Sequence, residues 1–201
     1  MSKKRKRLTA YNSCNWPNLK MRVVAGIAKG KRLKMIIGQR IRPTPAKVKE
    51  ALFNILADKT VGCSFLDLFA GTGAIGIEAK SRGTYRVVFV DNNPGAIRLI
   101  LYNLSSCGFN QGCQVYQQDV FSVLDELEKK GEVFDFIFLD PPYDSNLVEN
   151  TLEVISQKAL LKPGGEIIAE HSARKRLPEA YGSLVARNSY RFGDTFLSIY
   201  G

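Results

Sequence analysis

Long apolar runs are absent from this chain of 201 residues, and cysteine and histidine are scarce. No segment approaches the roughly 18 consecutive apolar residues that a membrane span requires, so we expect no membrane contact. The basic N-terminus is not followed by the apolar segment of a signal peptide, so we expect a cytoplasmic protein. The sequence has no Cys-x-x-Cys spacing and a single histidine, His171, so we predict neither a zinc site nor a disulfide framework for Cys14, Cys63, Cys107 and Cys113.

Basic residues are abundant, and they are concentrated at one end of the chain. The net charge is +10. Residues 1–50 contain 15 lysines and arginines against one acid, Glu50, whereas residues 51–201 contain 14 against 18 acids. This segregation predicts that the N-terminal part binds a polyanion, and we favour a nucleic acid. For residues 3–7 taken alone, a solubilising tail is the alternative.

The length of the chain predicts one α/β domain with a small appendage, because 201 residues bury one full core and leave little for a second. We expect a flexible basic arm over residues 1–20, which show little apolar periodicity. A basic hairpin and helix that contact nucleic acid are predicted over residues 21–60. Residues 61–201 form the predicted catalytic domain.

The appendage has recognisable signals for both of its elements. The β-prone runs Met21–Ala25 and Arg32–Ile36 predict a hairpin around two glycines. Thr44 is the predicted N-cap and Pro45 the predicted first residue of a helix that runs to about residue 57. The apolar positions of this helix share one face (Val48, Leu52, Ile55 and Leu56), and the polar ones are predicted to face solvent (Lys47, Lys49 and Glu50).

From residue 64 onwards, short apolar segments alternate with amphipathic segments of helical length, which is typical of a doubly wound, mostly parallel sheet. Strands are expected over residues 64–69, 86–91, 113–118, 134–140 and 165–170, and helices over residues 74–82, 94–107, 120–130 and 146–159. The composition of Lys162–Gly165 predicts a turn. Two further β-prone segments, 184–190 and 195–200, predict a closing antiparallel hairpin.

A glycine-rich turn follows the first predicted strand, where open α/β sheets bind ligands. The spacing Gly71-x-Gly73-x-x-Gly76 fits both NAD(P) and S-adenosylmethionine. Asp67 favours S-adenosylmethionine, because a carboxylate repels a pyrophosphate but receives the cationic amino acid end of that cofactor, directly or through water. The predicted cofactor-binding residues of this strand and turn are Asp67, Phe69, Ala70, Gly71 and Gly73. Phe69 is equally suited to the core.

The next two strands also end in acids, which completes a predicted nucleoside pocket. Asp91 is placed to accept hydrogen bonds from both ribose hydroxyls, with Asn92 beside it. Asp119, followed by Val120, is placed within reach of an adenine amino group. A purely structural role as a helix cap is the alternative for Asp119, Asn92 and Asn93, and a role as a cap or turn residue is the alternative for Asp67 and Asp91.

The most informative motif is Asp140-Pro141-Pro142-Tyr143, at the end of the fourth strand. The carboxylate of Asp140 and the carbonyl of Pro141 are suited to orient an exocyclic amine for methyl transfer, and proline contributes no competing N–H. Tyr143 is suited to stack on an extruded base, a contact worth roughly 1–3 kcal/mol. An ordinary strand-ending turn is the alternative interpretation.

The chain resembles the RsmD-like methyltransferases, which modify the N2 amine of a guanine in bacterial 16S rRNA. The resemblance covers residues 21–200 and rests on four motifs: Arg22–Gly26 with Gly30–Leu33, Ile41–Thr44 with Val48–Asn54, Leu66–Gly73, and Asp140–Tyr143. It implies a class I (Rossmann-like) methyltransferase domain that uses S-adenosylmethionine and acts on 16S rRNA in a small ribosomal subunit. We expect a monomer that needs no metal. The predicted substrate-binding residues are Arg22, Lys31, Arg32, Arg42 and Thr44.

Two features depart from this family's pattern. Residues 1–20 extend beyond its usual start, and Phe192 stands where tyrosine is common. Other functions also remain open. They are a DNA or RNA adenine-N6 or cytosine-N4 methyltransferase, a protein-glutamine methyltransferase, an NAD(P)-binding oxidoreductase and a noncatalytic RNA-binding module.

Overall fold

The computed structural model describes residues 21–35, 46–142 and 146–201. The helices are α1 (Ala46–Leu56), α2 (Ala74–Ser81), α3 (Pro94–Cys107), α4 (Val120–Lys129) and α5 (Leu147–Ser156), and a 3-10 turn (Ala57–Thr60) follows α1. Within the described parts of the chain, no helix is both long enough and apolar enough to cross a membrane.

Eight strands of the described residues form one sheet in the order β3-β2-β1-β4-β5-β8-β7-β6. The strands are β1 (Ser64–Leu68), β2 (Arg86–Asp91), β3 (Cys113–Gln117), β4 (Phe134–Leu139), β5 (Leu161–Ser172), β6 (Ala180–Tyr181), β7 (Leu184–Phe192) and β8 (Thr195–Tyr200). The first five are parallel, β8 pairs with β5 in antiparallel fashion, and β7 pairs with β8 in the same way. The predicted sheet and closing hairpin are therefore confirmed.

The core lies in two layers, one on each face of the sheet. The central strands are buried on both faces, which explains why they read as continuous apolar runs rather than alternating ones. One layer joins the sheet to α1, α2 and α3, and it includes three buried residues of the appendage hairpin (Val23, Ala28 and Leu33). The other layer joins the sheet to α4 and α5.

The predicted turn at Lys162–Gly165 is wrong, because these residues lie within β5. The pairing of β4 with β5 jumps from Phe134↔Leu161 to Phe136↔Glu166. This irregularity takes up extra residues on the β5 side, so a proline and two glycines are tolerated without ending the strand.

Within residues 21–35, the described part of the appendage hairpin, one antiparallel bridge joins Arg22 and Arg32. Backbone hydrogen bonds on either side extend it, from Val23 N to Lys31 O (3.0 Å) and from Leu33 N to Met21 O (3.0 Å). The predicted arm over residues 1–20 and the predicted cap at Thr44 and Pro45 lie outside the described residues.

The prediction that Lys49 faces solvent is wrong, although it holds for Lys47 and Glu50. The side chain of Lys49 is buried, and its Nζ lies 3.0 Å from Glu78 Oε2 and 2.6 Å from Arg22 O. A buried acid on α2 therefore makes the burial of this cation possible, which helical periodicity alone does not reveal.

Candidate active site

Four strand ends meet at one edge of the sheet, because parallel strands align their carboxyl ends. In the register, Leu68 at the end of β1 pairs with Val90 on one side and Leu139 on the other, and Asp91 at the end of β2 pairs with Gln117. Neighbouring strands lie about 4.8 Å apart. The glycine loop after β1 and the Asp140–Pro142 bend after β4 are therefore direct neighbours, as the sequence predicted.

The glycine loop adopts a conformation that its glycines permit. Gly71 has φ +54° and Gly73, the N-cap of α2, has φ +74°. Phe69 also has a positive φ of +60°, which is uncommon for a residue with a side chain. At Gly71 an added Cβ would meet nothing closer than Phe69 O at 3.9 Å, so the backbone is accessible to a ligand at this point.

Gly76 lies in the first turn of α2 and has a packing role. A Cβ at this position would approach Phe89 Cε1 to 2.3 Å, well inside van der Waals contact. The third glycine of the motif therefore lets α2 pack closely on β2, which fixes the height of the loop above the sheet.

Asp67 is buried beneath this loop, with 1% of its surface exposed. Its Oδ2 accepts a hydrogen bond from Gly76 N at 2.9 Å. Burial raises the pKa of the Asp67 carboxyl to about 7, against the lowering effect of the Gly76 hydrogen bond, and the nearby Asp91 raises it further. This geometry ties the loop to β1, and the predicted contact with the cofactor's amino group stays a prediction.

Asp91 links the ends of β1 and β2 through both carboxylate oxygens. Oδ2 accepts from Gly71 N at 2.8 Å, and Oδ1 accepts from Asn93 N at 2.8 Å. Each oxygen has a second lone pair for a hydroxyl donor. The helix cap is Asn93, whose side chain accepts from Gly95 N, whereas Asn92 is exposed.

Asp119 is the N-cap of α4, which is the alternative role that the sequence predicted for it. Its carboxylate accepts from Phe121 N at 2.9 Å and from Ser122 N at 3.3 Å. Val120 is buried in the first turn of α4. The side chain of Asp119 is exposed at the site edge, so capping and the predicted contact with an adenine are compatible.

The Asp140–Pro142 bend begins where β4 ends. Asp140 is half-buried, Pro141 is buried and Pro142 is exposed, and Tyr143 lies outside the described residues. Both prolines line a small cavity with Glu170, His171 and Ser172 at the end of β5 and with Lys175 just beyond it. The His171 ring bonds to Ser198 Oγ at 2.8 Å and stacks on Phe196, so it packs between β5 and β8.

Three of the predicted substrate-binding residues are exposed on the appendage, at Arg22, Lys31 and Arg32. The other two, Arg42 and Thr44, lie outside the described residues. The exposed cations are available to a polyanion.

Glu78 on α2 holds the appendage in place, and sequence reasoning missed it. Its carboxylate is fully buried and accepts from Val24 N at 2.8 Å and from Ala25 N at 2.9 Å. It also pairs with Lys49 and Arg82, each at 3.0 Å. The feature of the sequence that could have indicated this role is an acid among the small and apolar residues of α2.

Asn103 on α3 connects the appendage to the glycine loop and was also missed. Its side chain is fully buried. Oδ1 accepts from Lys34 N at 2.8 Å, while Nδ2 donates to Lys34 O at 3.1 Å and to Thr72 O at 3.0 Å. The basic appendage and the loop between Gly71 and Gly73 are therefore held by one side chain.

The residues at this edge fit S-adenosylmethionine. The backbone is open at Gly71, Asp91 has free lone pairs at the height of the loop, and Asp119 is exposed one strand further along. Together with the topology, this site defines a class I methyltransferase, which takes its methyl group from S-adenosylmethionine. The predicted fold and cofactor are confirmed.

Comparison with known proteins identifies the family. The family model described as Conserved hypothetical protein 95 matches residues 21–201, and the chain belongs to this family. Similar proteins include the "Putative rRNA methyltransferase YlbH" of Bacillus subtilis, 40% identical over 90% of this chain and 98% of that protein. Another is "Ribosomal RNA small subunit methyltransferase D" of Haemophilus influenzae, 33% identical over 80% of this chain and 84% of that protein. The predicted relation to RsmD proteins is thereby confirmed.

A solved structure supports the fold independently. The Escherichia coli protein titled "Putative methyltransferase yhhF" superimposes with a TM-score of 0.79. The match covers 90% of this chain and 97% of that one, at 24% identity.

Proposed function

We propose that this protein transfers a methyl group from S-adenosylmethionine to the N2 amine of a guanine in 16S rRNA. The single observation that carries the proposal is the β1–β4 register, in which Leu68 opposite Leu139 makes the glycine loop and the Asp140–Pro142 bend neighbours. The curated relatives, which are named as rRNA methyltransferases, support an rRNA substrate.

The bend supplies the acceptor chemistry. An exocyclic amine of guanine is a poor nucleophile, because its lone pair is delocalised into the ring. Hydrogen bonds from this amine to the Asp140 carboxylate and the Pro141 carbonyl favour a pyramidal nitrogen and direct its lone pair. Proline fixes the bend through its locked φ and adds no N–H that would compete for these acceptors.

The cofactor half of the site orients the donor. When bound, S-adenosylmethionine supplies an electrophilic methyl group on a sulfonium sulfur. The residues assigned to hold it are Asp91 for the ribose hydroxyls, Asp119 with Val120 for the adenine, and the backbone around Gly71 for the amino acid end. Asp67 fixes the loop through Gly76 N.

The appendage provides the attraction for RNA. Arg22 and Arg32, which form the bridge of the hairpin, and Lys31 beside it are exposed. Phosphate contacts of such cations position a nucleic acid without reading its bases. The connection from Lys34 through Asn103 to Thr72 keeps this surface in a fixed relation to the glycine loop.

Small subunits from cells that lack the enzyme provide the direct test. They are incubated with the purified protein and labelled S-adenosylmethionine, and the product is digested and analysed by nucleoside mass spectrometry. We expect label in N2-methylguanosine of 16S rRNA. Label in N6-methyladenosine, N4-methylcytidine or protein, or no label, would contradict the proposal.

A further inference from the structure

A second basic surface lies beside the Asp140–Pro142 bend, on the side away from the cofactor loop. It comprises Arg174, Arg176 and Arg191, all of them exposed. The first two lie in the segment after β5, and the third lies near the end of β7. We call this set the C-terminal basic rim.

The register fixes the position of the rim relative to the bend. Arg191 on β7 pairs with Phe196 on β8, which pairs with His171 on β5. His171 lines the same cavity as Pro141 and Pro142. Arg191 is therefore two strands from a residue beside the bend, which corresponds to about 10 Å.

The segment that carries the other two arginines is held against the same edge of the sheet. Ala173 N donates to Asp194 O at 2.8 Å, and Lys175 N donates to Ser172 O at 3.0 Å. Lys175 lines the cavity with the two prolines and pairs with Glu149. Its neighbours Arg174 and Arg176, both exposed, each lie one residue from a side chain that lines the cavity beside the bend.

The charge of these arginines is not neutralised locally. Within the described part of residues 51–201, seven of the 14 lysines and arginines pair with a carboxylate, namely Lys59, Arg82, Arg86, Lys130, Lys158, Lys162 and Lys175. Arg174, Arg176 and Arg191 make no ion pair with any residue in the described ranges. The nearby acid Asp194 offsets one of three charges.

We propose that the C-terminal basic rim binds the phosphates of the rRNA strand that flanks the target nucleotide. This inference rests on the proposed function, since it assumes an RNA whose target base enters beside Pro141. A net excess of exposed guanidinium groups within about three strand spacings of the bend suits a phosphodiester strand, because Arg binds phosphate through a planar pair of donors. The appendage and the rim then hold the RNA on two sides of the pocket.

The test uses charge reversal in the full-length protein. The rim variant carries Arg174→Glu and Arg176→Glu. The control variant carries Lys129→Glu and Arg187→Glu, which change the net charge by the same amount at the opposite end of the sheet. KM for small subunits, kcat and cofactor affinity are measured over a range of salt concentrations. We expect the rim variant to raise KM about tenfold at low salt and to reduce the slope of log KM against log salt by about 1–2, with kcat and cofactor affinity unchanged.

The outcomes separate the two proposals. If the wild-type protein labels no 16S guanine, the proposed function fails before the variants are compared. If the wild type is active and the rim variant behaves like its control, the rim does not bind RNA. The same measurement is repeated with naked 16S rRNA as substrate. If the rim variant raises KM for subunits but leaves the slope of log KM against log salt unchanged on naked rRNA, the rim binds a ribosomal protein, which would overturn the RNA assignment. Arg191→Glu, tested alone, should show a smaller change in the same direction.

Discussion

The two halves of the site are built differently. In the cofactor half, the carboxylates of Asp67, Asp91 and Asp119 each accept a hydrogen bond from a backbone N–H of the segment after their own strand or a neighbouring one. In the target half, the described bend contains two prolines, which have no N–H to offer. Its shape follows from locked φ angles and from the pairing of β4 with β1 and β5.

This difference shows which substitutions should affect the chemical step alone and which should also disturb the structure of the site. An acid of the cofactor half holds a loop in addition to any contact with the cofactor, so its loss disturbs both. The side chain of Asp140 is assigned to the substrate amine, so its loss should affect catalysis with little effect on the loop after β1.

The largest effect is expected for Asp140→Ala. Removing an acceptor that orients the amine in the transition state should lower kcat by about 10²–10³-fold, while cofactor affinity measured by calorimetry stays unchanged. Glu153→Ala, at an exposed acid of α5, is the control and should retain the wild-type rate. A full rate in the Asp140 variant would refute the role of the bend.

A smaller effect on binding is expected for Asp91→Ala. The change removes a charged acceptor for the ribose and leaves Gly71 N and Asn93 N without their present partner. Hydrogen bonds to a charged group are worth about 1.5–3 kcal/mol, so cofactor affinity should fall roughly 10–100-fold. Asp119→Ala is the comparison. A loss of cofactor affinity in that variant equal to or larger than the loss in Asp91→Ala would contradict the larger role assigned to Asp91.

Gly76→Ala should destabilise the fold without touching the cofactor directly. The new methyl group would overlap the Phe89 ring, and overpacking of this kind costs about 1–3 kcal/mol of unfolding free energy. Denaturant unfolding measures this loss. The double variant with Phe89→Leu should recover part of the stability, and no recovery would show that another contact is limiting.

Asp67→Asn should change how stability depends on pH. The pKa of this carboxyl is raised in the folded protein to about 7, from an ordinary value of 3.8. The folded state therefore binds the proton more tightly, and the contribution of this group lowers stability as pH rises from about 4 to 7. The asparagine variant keeps an acceptor for Gly76 N and should lack this contribution, which amounts to at most about 1.4 kcal/mol per pH unit. If the unfolding free energies of the two proteins changed with pH in the same way over this range, the raised pKa would be contradicted.

Much of the fold could be predicted because each central strand is an apolar run and most of these runs end in an acid or a glycine turn. The ends of β1, β2 and β4 were located in this way, each to within one residue. The irregular pairing that keeps Lys162–Gly165 within β5 could not be predicted, since it depends on the partner strand.

The buried polar contacts could not be predicted from local sequence patterns either. Lys49 occupies a position that helical periodicity assigns to solvent, and only the approach of α2 supplies its partner, Glu78. Asn103 likewise acquires its role from two segments distant in sequence, at Lys34 and Thr72. Such long-range pairs leave no periodic signal in one sequence.

The most direct test of the central claim is a crystal structure of the complex with S-adenosylhomocysteine, the product of methyl transfer. We predict that its ribose contacts Asp91 and that its sulfur lies between the glycine loop and the Asp140–Pro142 bend. A sulfur that points away from this bend, or a ligand bound at another edge of the sheet, would contradict the account.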